Sequence, residues 1–335
     1  MKHWILAILT LCVTTGCTHP FGNVYDNTPA GNMEALWSII DEKYCFLDEK
    51  DVDWEALKQP YIDSAKLLAP GDKLALFDLM ERMINRLEDG HVNLYTSFDR
   101  SQCVSWYKGY PENYDERLIN DLYINNSRYA GGMYYQRIAD DAIGYIYCGS
   151  FEIGASSANM YYILTAFRDC KGIVLDVRNN GGGSLEYAYT LASTFFDHDT
   201  TIGYWQHKTG KRHSDFSELK PIKIKKDDMP SKWLRPVIVL QNRHTYSAAN
   251  SFVNAMRYGR NVLLLGGMSG GGGGMPLSYE LPNGWLIRFS SIRMYDADHK
   301  SIEGGIAPHV YETLRSTDKD DLIEHAVQLI NKAYE

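Results

Sequence analysis

Ser247 is where this chain most plainly offers chemistry. Pro236 to Gln241 reads as a short buried strand, apolar and β-branched, entered by a proline. From Ser247 onward, Ala249, Phe252, Val253 and Met256 recur at helical spacing. The serine therefore falls at a strand–turn–helix junction, on the first turn of the helix. Backbone N–H groups there have no intrahelical partner and favour negative charge. A serine in that place either caps the helix or acts as a nucleophile whose neighbours hold an oxyanion. The segment alone leaves both open.

Three other stretches bear on that choice. Leu175 to Ser184 places Gly181, Gly182 and Gly183 between a buried strand and a helix start, where bare N–H groups can approach an anion. No Lys-Ser/Thr follows these glycines, so a phosphate-binding P-loop is excluded, and either an oxyanion site or a tight βα turn remains. His91 follows Leu87-Glu-Asp-Gly90, with Gly90 as the expected helix stop and Val92 and Leu94 beginning a strand, so the imidazole is held at a rigid corner. Residues 266 to 274 hold seven glycines in nine positions and suit a groove wall, a lid or a plain flexible loop. Ser269 apart, they supply no reactive side chain.

Taken together, Leu-Glu-Asp-Gly-His-Val (87–92), Val-Leu-Asp-Val-Arg-Asn-Asn-Gly-Gly-Gly (174–183), Tyr-Ser-Ala-Ala-Asn-Ser-Phe (246–252) and Ile-Glu-Gly-Gly-Ile-Ala-Pro (302–308) resemble the S41 peptidases in order and context. The resemblance covers roughly residues 30 to 315. It implies a ClpP/crotonase-like core of ββα units, a helical N-terminal portion and serine peptidase activity. It also implies Ser247 as nucleophile, with oxyanion donors at Ala248 N–H and at Gly182, or at Gly181 or Gly183 instead. The Ser/Lys branch of the family carries its lysine about two dozen residues after the serine, but here no Lys stands between Ser247 and Lys300. The sequence is closer to the tricorn-like Ser/His branch, which implies His91 as general base and Glu303 as the acid that orients it. Histidine suits the task because it titrates near neutrality, and a carboxylate would fix its tautomer. Gly90 stands where that branch has a serine, so a bridging hydroxyl is unassigned, and His244 is a rival base. No metal or cofactor is implied. A catalytically silent peptide- or ligand-binding protein on the same fold is the alternative, and a hydrolase of small esters or amides a further one.

The elements that must position these residues follow from periodicity. Three helices are predicted before residue 94: Asn32 to Tyr44, one opened by Asp53 and running to about Leu68, and one ending at Leu87. Residues 95–141 read as short strands and loops, too short for the PDZ domain usual in the Ser/Lys branch. From 142 to 315, strand–loop–helix units repeat and argue for a layered α/β core. Lys208 to Lys232 is expected to be a charged, mobile excursion. Pro282-Asn-Gly284 is expected to turn a hairpin, and residues 316–335 to end in a helix. A net charge of −8 over 335 residues, with Lys and Arg scattered, gives nucleic-acid binding no support. Residues 1–16 read as a signal peptide, with Lys2 ahead of an apolar run too short to span a bilayer. Small residues before Cys17 resemble a lipobox, so Cys17 is expected to carry lipid and residues 17–30 to be its tether. The chain would then be anchored at a bacterial cell envelope, facing the periplasm or the cell surface. Cys45, Cys103, Cys148 and Cys170 show no metal-ligand spacing, and free thiols or one or two disulfides both remain open.

Overall fold

A computed structural model describes residues 25–334. The expected signal peptide at 1–16 and Cys17 lie outside these residues. The chain opens with α1 (Pro29–Lys43), α2 (Trp54–Lys66) and α3 (Lys73–Ile84). Each begins at a side-chain cap: Thr28, Asp53 and Asp72 accept from the N–H groups of Gly31, Ala56 and Ala75. The expected tether therefore gives way to helix at Pro29, since Thr28 caps it and proline suits the first helical turn. Next come β1 (Asn93–Tyr95), the hairpin of β2 (Arg128–Ala130) and β3 (Met133–Ile138), β4 (Ile143–Tyr147) and α4 (Ser157–Ala166). Between β1 and β4 the chain holds only that hairpin and short helical turns at 116–123, with no room for a PDZ domain.

The core continues with β5 (Gly172–Asp176), α5 (Leu185–Ser193), β6 (Thr200–His207), β7 (Lys220–Ile224), β8 (Val237–Gln241), α6 (Ala248–Met256) and β9 (Val262–Gly266). It ends with β10 (Gly274–Glu280), β11 (Leu286–Asp296), β12 (Val310–Tyr311) and α7 (Asp321–Lys332). A seven-stranded sheet runs in the order β12-β9-β8-β5-β4-β3-β2, parallel from β12 to β4. Its central strands are apolar on both sides because both faces are covered. α4, α5 and α6 bury one face around Ile173, Leu175, Val239 and Phe252, while α7 covers the other around Val174, Ile238 and Leu240. A second, antiparallel sheet joins β1, β11, β6 and β7, with β10 also on β11.

β11 has two working faces. Ile287 and Phe289 enter the core formed with α1–α3, whereas Arg288 and Ser290 point the other way, as strand alternation requires. The segment from Lys208 to Lys232, expected to be mobile, is ordered by β7, which pairs with β6 and buries Ile224. The run of glycines at 266–274 is a packed spine rather than a loose loop. From Ser269 to Gly274 every residue is buried, and Cβ atoms there would strike Tyr246, Ile302, Glu303 and Ser290. Cys45, Cys103, Cys148 and Cys170 are buried free thiols.

Candidate active site

Of the two roles open to Ser247, the cap is not the one its hydroxyl takes. Ser247 occupies the N-cap position of α6 but makes no capping bond. Its Oγ lies 3.0 Å from His91 Nε2, across 156 residues of chain. The backbone at Ser247 has φ 57° and ψ −121°, a sparsely populated region for a residue with a Cβ. Two hydrogen bonds hold it there: Ser247 N–H donates to Gly271 O at 2.9 Å, and Tyr246 N–H to Asn180 O at 3.0 Å. The glycine spine and the 179–183 loop thus fix the serine from opposite sides.

His91 is held by the residues just before it. The left-handed turn that ends the third helix falls on Glu88 (φ 49°) rather than on Gly90. Gly90 is needed instead for contact, since a Cβ there would meet Trp106 Nε1 at 2.7 Å and Tyr246 Oη at 3.1 Å. Asp89 is fully enclosed and accepts from His91 N–H at 2.7 Å, Tyr44 Oη at 2.7 Å and Tyr246 Oη at 3.2 Å. The imidazole packs on Tyr246 at 4.8 Å between ring centres. Burial drives its pKa down to about 4; Asp89 pulls it back up, and Arg288 and Lys50 push it further down. His91 is therefore neutral at pH 7, the form able to accept a proton.

The other ring nitrogen also has a partner. With Ser247 donating to Nε2, Nδ1 carries the proton and donates to Ser290 Oγ, 3.4 Å away on β11. Glu303, expected to orient His91, spends its carboxylate elsewhere. Oε1 accepts from Lys50 Nζ at 3.0 Å, and Oε2 from Gly273 N–H at 2.9 Å. Burial, and then the charge of Asp89, push Glu303 up to about 8 against the pull of Lys50. Asp89 itself is held below the usual range: Lys50, His91 and the hydrogen bonds it accepts outweigh the cost of burying it. Glu303, Lys50 and Asp89 thus form one interacting, largely buried cluster behind the imidazole.

The expected oxyanion donors divide. Ala248 N–H has no hydrogen-bond partner among the described residues, as befits the first position of a helix. Gly182 N–H is already committed to Asn180 Oδ1 at 2.9 Å. Gly181 and Gly183 have no such partner among the described residues, and both line the cavity of about 440 Å³ onto which Ser247 and His91 open. His244, the rival base, packs on Tyr107 and Trp106 at 4.7 and 6.0 Å.

Sequence reasoning missed Asp89, Lys50 and Ser290. Asp89 had a signal, for it sits two residues before His91 in the same motif. Ser290 had none, being one serine in an expected hairpin strand, brought to the histidine by sheet pairing alone.

Comparison with known proteins bears on the family and the fold. A family model described as Peptidase family S41 matches residues 142–312, and one for the tricorn protease C1 domain matches residues 25–85. A candidate peptidase from Parabacteroides merdae, known as a crystal structure, is 42% identical with a TM-score of 0.85, covering 92% of this chain and 97% of that one. The carboxy-terminal processing protease CtpA of Bacillus subtilis is 28% identical over 192 residues, 57% of this chain. The match spans only 39% of that curated relative's length. Mature CPAF shares the fold, with a TM-score of 0.68 at 12% identity over 91% of this chain and 98% of that one.

Proposed function

The chain belongs to peptidase family S41, and from that premise we propose that it is a serine peptidase cleaving peptide bonds through an acyl-enzyme on Ser247. The observation that carries this reading is the 3.0 Å contact between Ser247 Oγ and the neutral, buried His91 Nε2. His91 takes the serine proton as Oγ attacks the scissile carbonyl, forming the Oγ–C bond. The carbonyl electron pair moves onto oxygen, where Ala248 N–H and Gly181 N–H, or Gly183 N–H in its place, stabilise the charge. As the C–N bond breaks, His91 returns the proton to the leaving amine. Water then enters by the same base and releases the acid.

In this scheme Ser290 is a positioning residue, holding Nδ1 so that Nε2 faces the serine. Glu303 acts at one remove, through Lys50 and Asp89, by keeping the corner that carries His91 in place. Export belongs to the same proposal and rests on residues 1–16 as signal peptide and on Cys17 as lipid attachment site.

A serine-directed fluorophosphonate probe tests the reading, with Ser247→Ala as control. We expect labelling of the wild type and none of the variant, together with turnover of peptides. A folded wild type that takes no Ser247-dependent label would sink the peptidase reading and leave a binding protein on the same fold. Turnover of esters but not peptides would move the substrate class.

A further inference from the structure

Two cavities flank the strip formed by Gly90, Trp106 and Tyr246, and their charges differ. The one behind His91, about 360 Å³, is lined by Glu49, Glu88, Asp89 and Glu303 with Lys50 and Arg243. The one onto which Ser247 opens, about 440 Å³, has no acidic residue in its lining but has Arg100 and Arg288. In a chain of net charge −8, that is a local reversal of sign at the reacting serine.

Both guanidiniums are held only by neutral groups. Arg288 lies opposite Asn93 in the β11–β1 register and donates from Nη1 to Asn93 Oδ1 at 3.3 Å. Arg100 rests over the Tyr95 ring at 5.2 Å. Neither is in an ion pair among the described residues, whereas the half-buried Arg257 and the buried Arg178 and Arg293 all are. A guanidinium with spare donors, partly withdrawn from water inside a cleft, is built for bidentate contact with a carboxylate.

We propose that this cleft is a carboxylate subsite, in which Arg288, with the more exposed Arg100, receives a carboxylate of the substrate beside the scissile bond. The proposal rests on the peptidase reading of Ser247. Its chemistry is met by an Asp or Glu side chain or by a free peptide C-terminus. It also answers a difficulty in the site: Arg288 disfavours the protonated form of His91, and a bound carboxylate would offset that charge as the imidazolium forms.

The test uses the full chain and two sets of internally quenched peptides. In C-terminally amidated peptides, Asp or Glu at each position is compared with Asn or Gln. In peptides lacking acidic residues, a free C-terminus is compared with an amide. We expect kcat/KM to favour the carboxylate in one set by about 10-fold or more. Arg288→Gln should bring that ratio near one and Arg100→Gln should lower it. Because the ratio is read within each protein, a general loss of activity cannot imitate the effect, and a thermal melt confirms that each variant folds. Wild type that cleaves both members of every pair equally well overturns the subsite and leaves the peptidase reading standing. If no peptide is cleaved, the peptidase reading fails, and affinity of Ser247→Ala for the same pairs, by titration calorimetry, decides the subsite alone. Equal affinity there overturns it.

Discussion

Under the proposed mechanism His91 must be neutral to begin the reaction and charged in the middle of it, and its surroundings favour the first state. Burial holds its pKa near 4 in the fold against 6.5 for an ordinary histidine. The unfolded chain therefore binds the proton more readily between those values, so stability is lost as pH falls through that window. Activity should follow the same group: kcat/KM is expected to stay level above about pH 5 and fall below an acid limb near 4, as read from a pH–rate profile. Arg288→Gln should move that limb upward, because one cation that disfavours the imidazolium is gone. Ser290→Ala should lower kcat by roughly 10-fold with KM little changed, since one hydrogen bond to a developing cation is lost. Equal losses in kcat and thermal stability would mark Ser290 as packing only. At this scale the sequence singled out Ser247 and His91, each in a motif at the boundary of an element, and the two side chains meet at 3.0 Å. It could not show that Glu303 faces Lys50 and Gly273 rather than His91, since those contacts are set by packing between distant segments.

Among the elements, the glycine run from 266 to 274 departs furthest from expectation. Its lack of side chains suggested freedom, yet the absence is what lets backbone from three segments meet. Gly271 has φ 80°, gives its carbonyl to Ser247 N–H, and has no room for a Cβ beside Glu303 O. A Cβ on Gly272 would lie 2.5 Å from the Tyr246 ring. Gly271→Ala should therefore cost about 2–4 kcal/mol through strain and displacement, lower the melting temperature and slow fluorophosphonate labelling. An unchanged melt with full labelling would show that the spine yields. Glycine announces no neighbour in a hydrophobic pattern, so tight packing here leaves no mark in the sequence. By contrast α1–α3, β8, α6 and the β10–β11 hairpin were readable, because periodicity, caps and the Asn283-Gly284 turn are all local signals.

On the scale of the molecule, Arg178 is the tie. It is completely buried and binds Asp176 at 2.6 Å, Asp320 at 2.9 Å and Asn113 O at 3.0 Å. Asp320 also caps α7, so one guanidinium joins the end of β5, the loop before the helical turns at 116–123 and the C-terminal helix. Removing it leaves two carboxylates in an apolar interior. Arg178→Met is expected to destabilise the fold by about 3–5 kcal/mol, measured by denaturant titration. A loss under about 1 kcal/mol would mean that water reaches the acids.

β11 carries Ser290 and Arg288 two positions apart on one face, a separation of roughly 7 Å along a strand paired on both sides. Under the carboxylate proposal the strand behaves as a ruler. One mark is the imidazole's anchor and the other the substrate's charge, and neither can shift without moving the sheet. Selection would then be by length as well as by sign, so that aspartate and glutamate, which differ by one methylene, become distinguishable substrates.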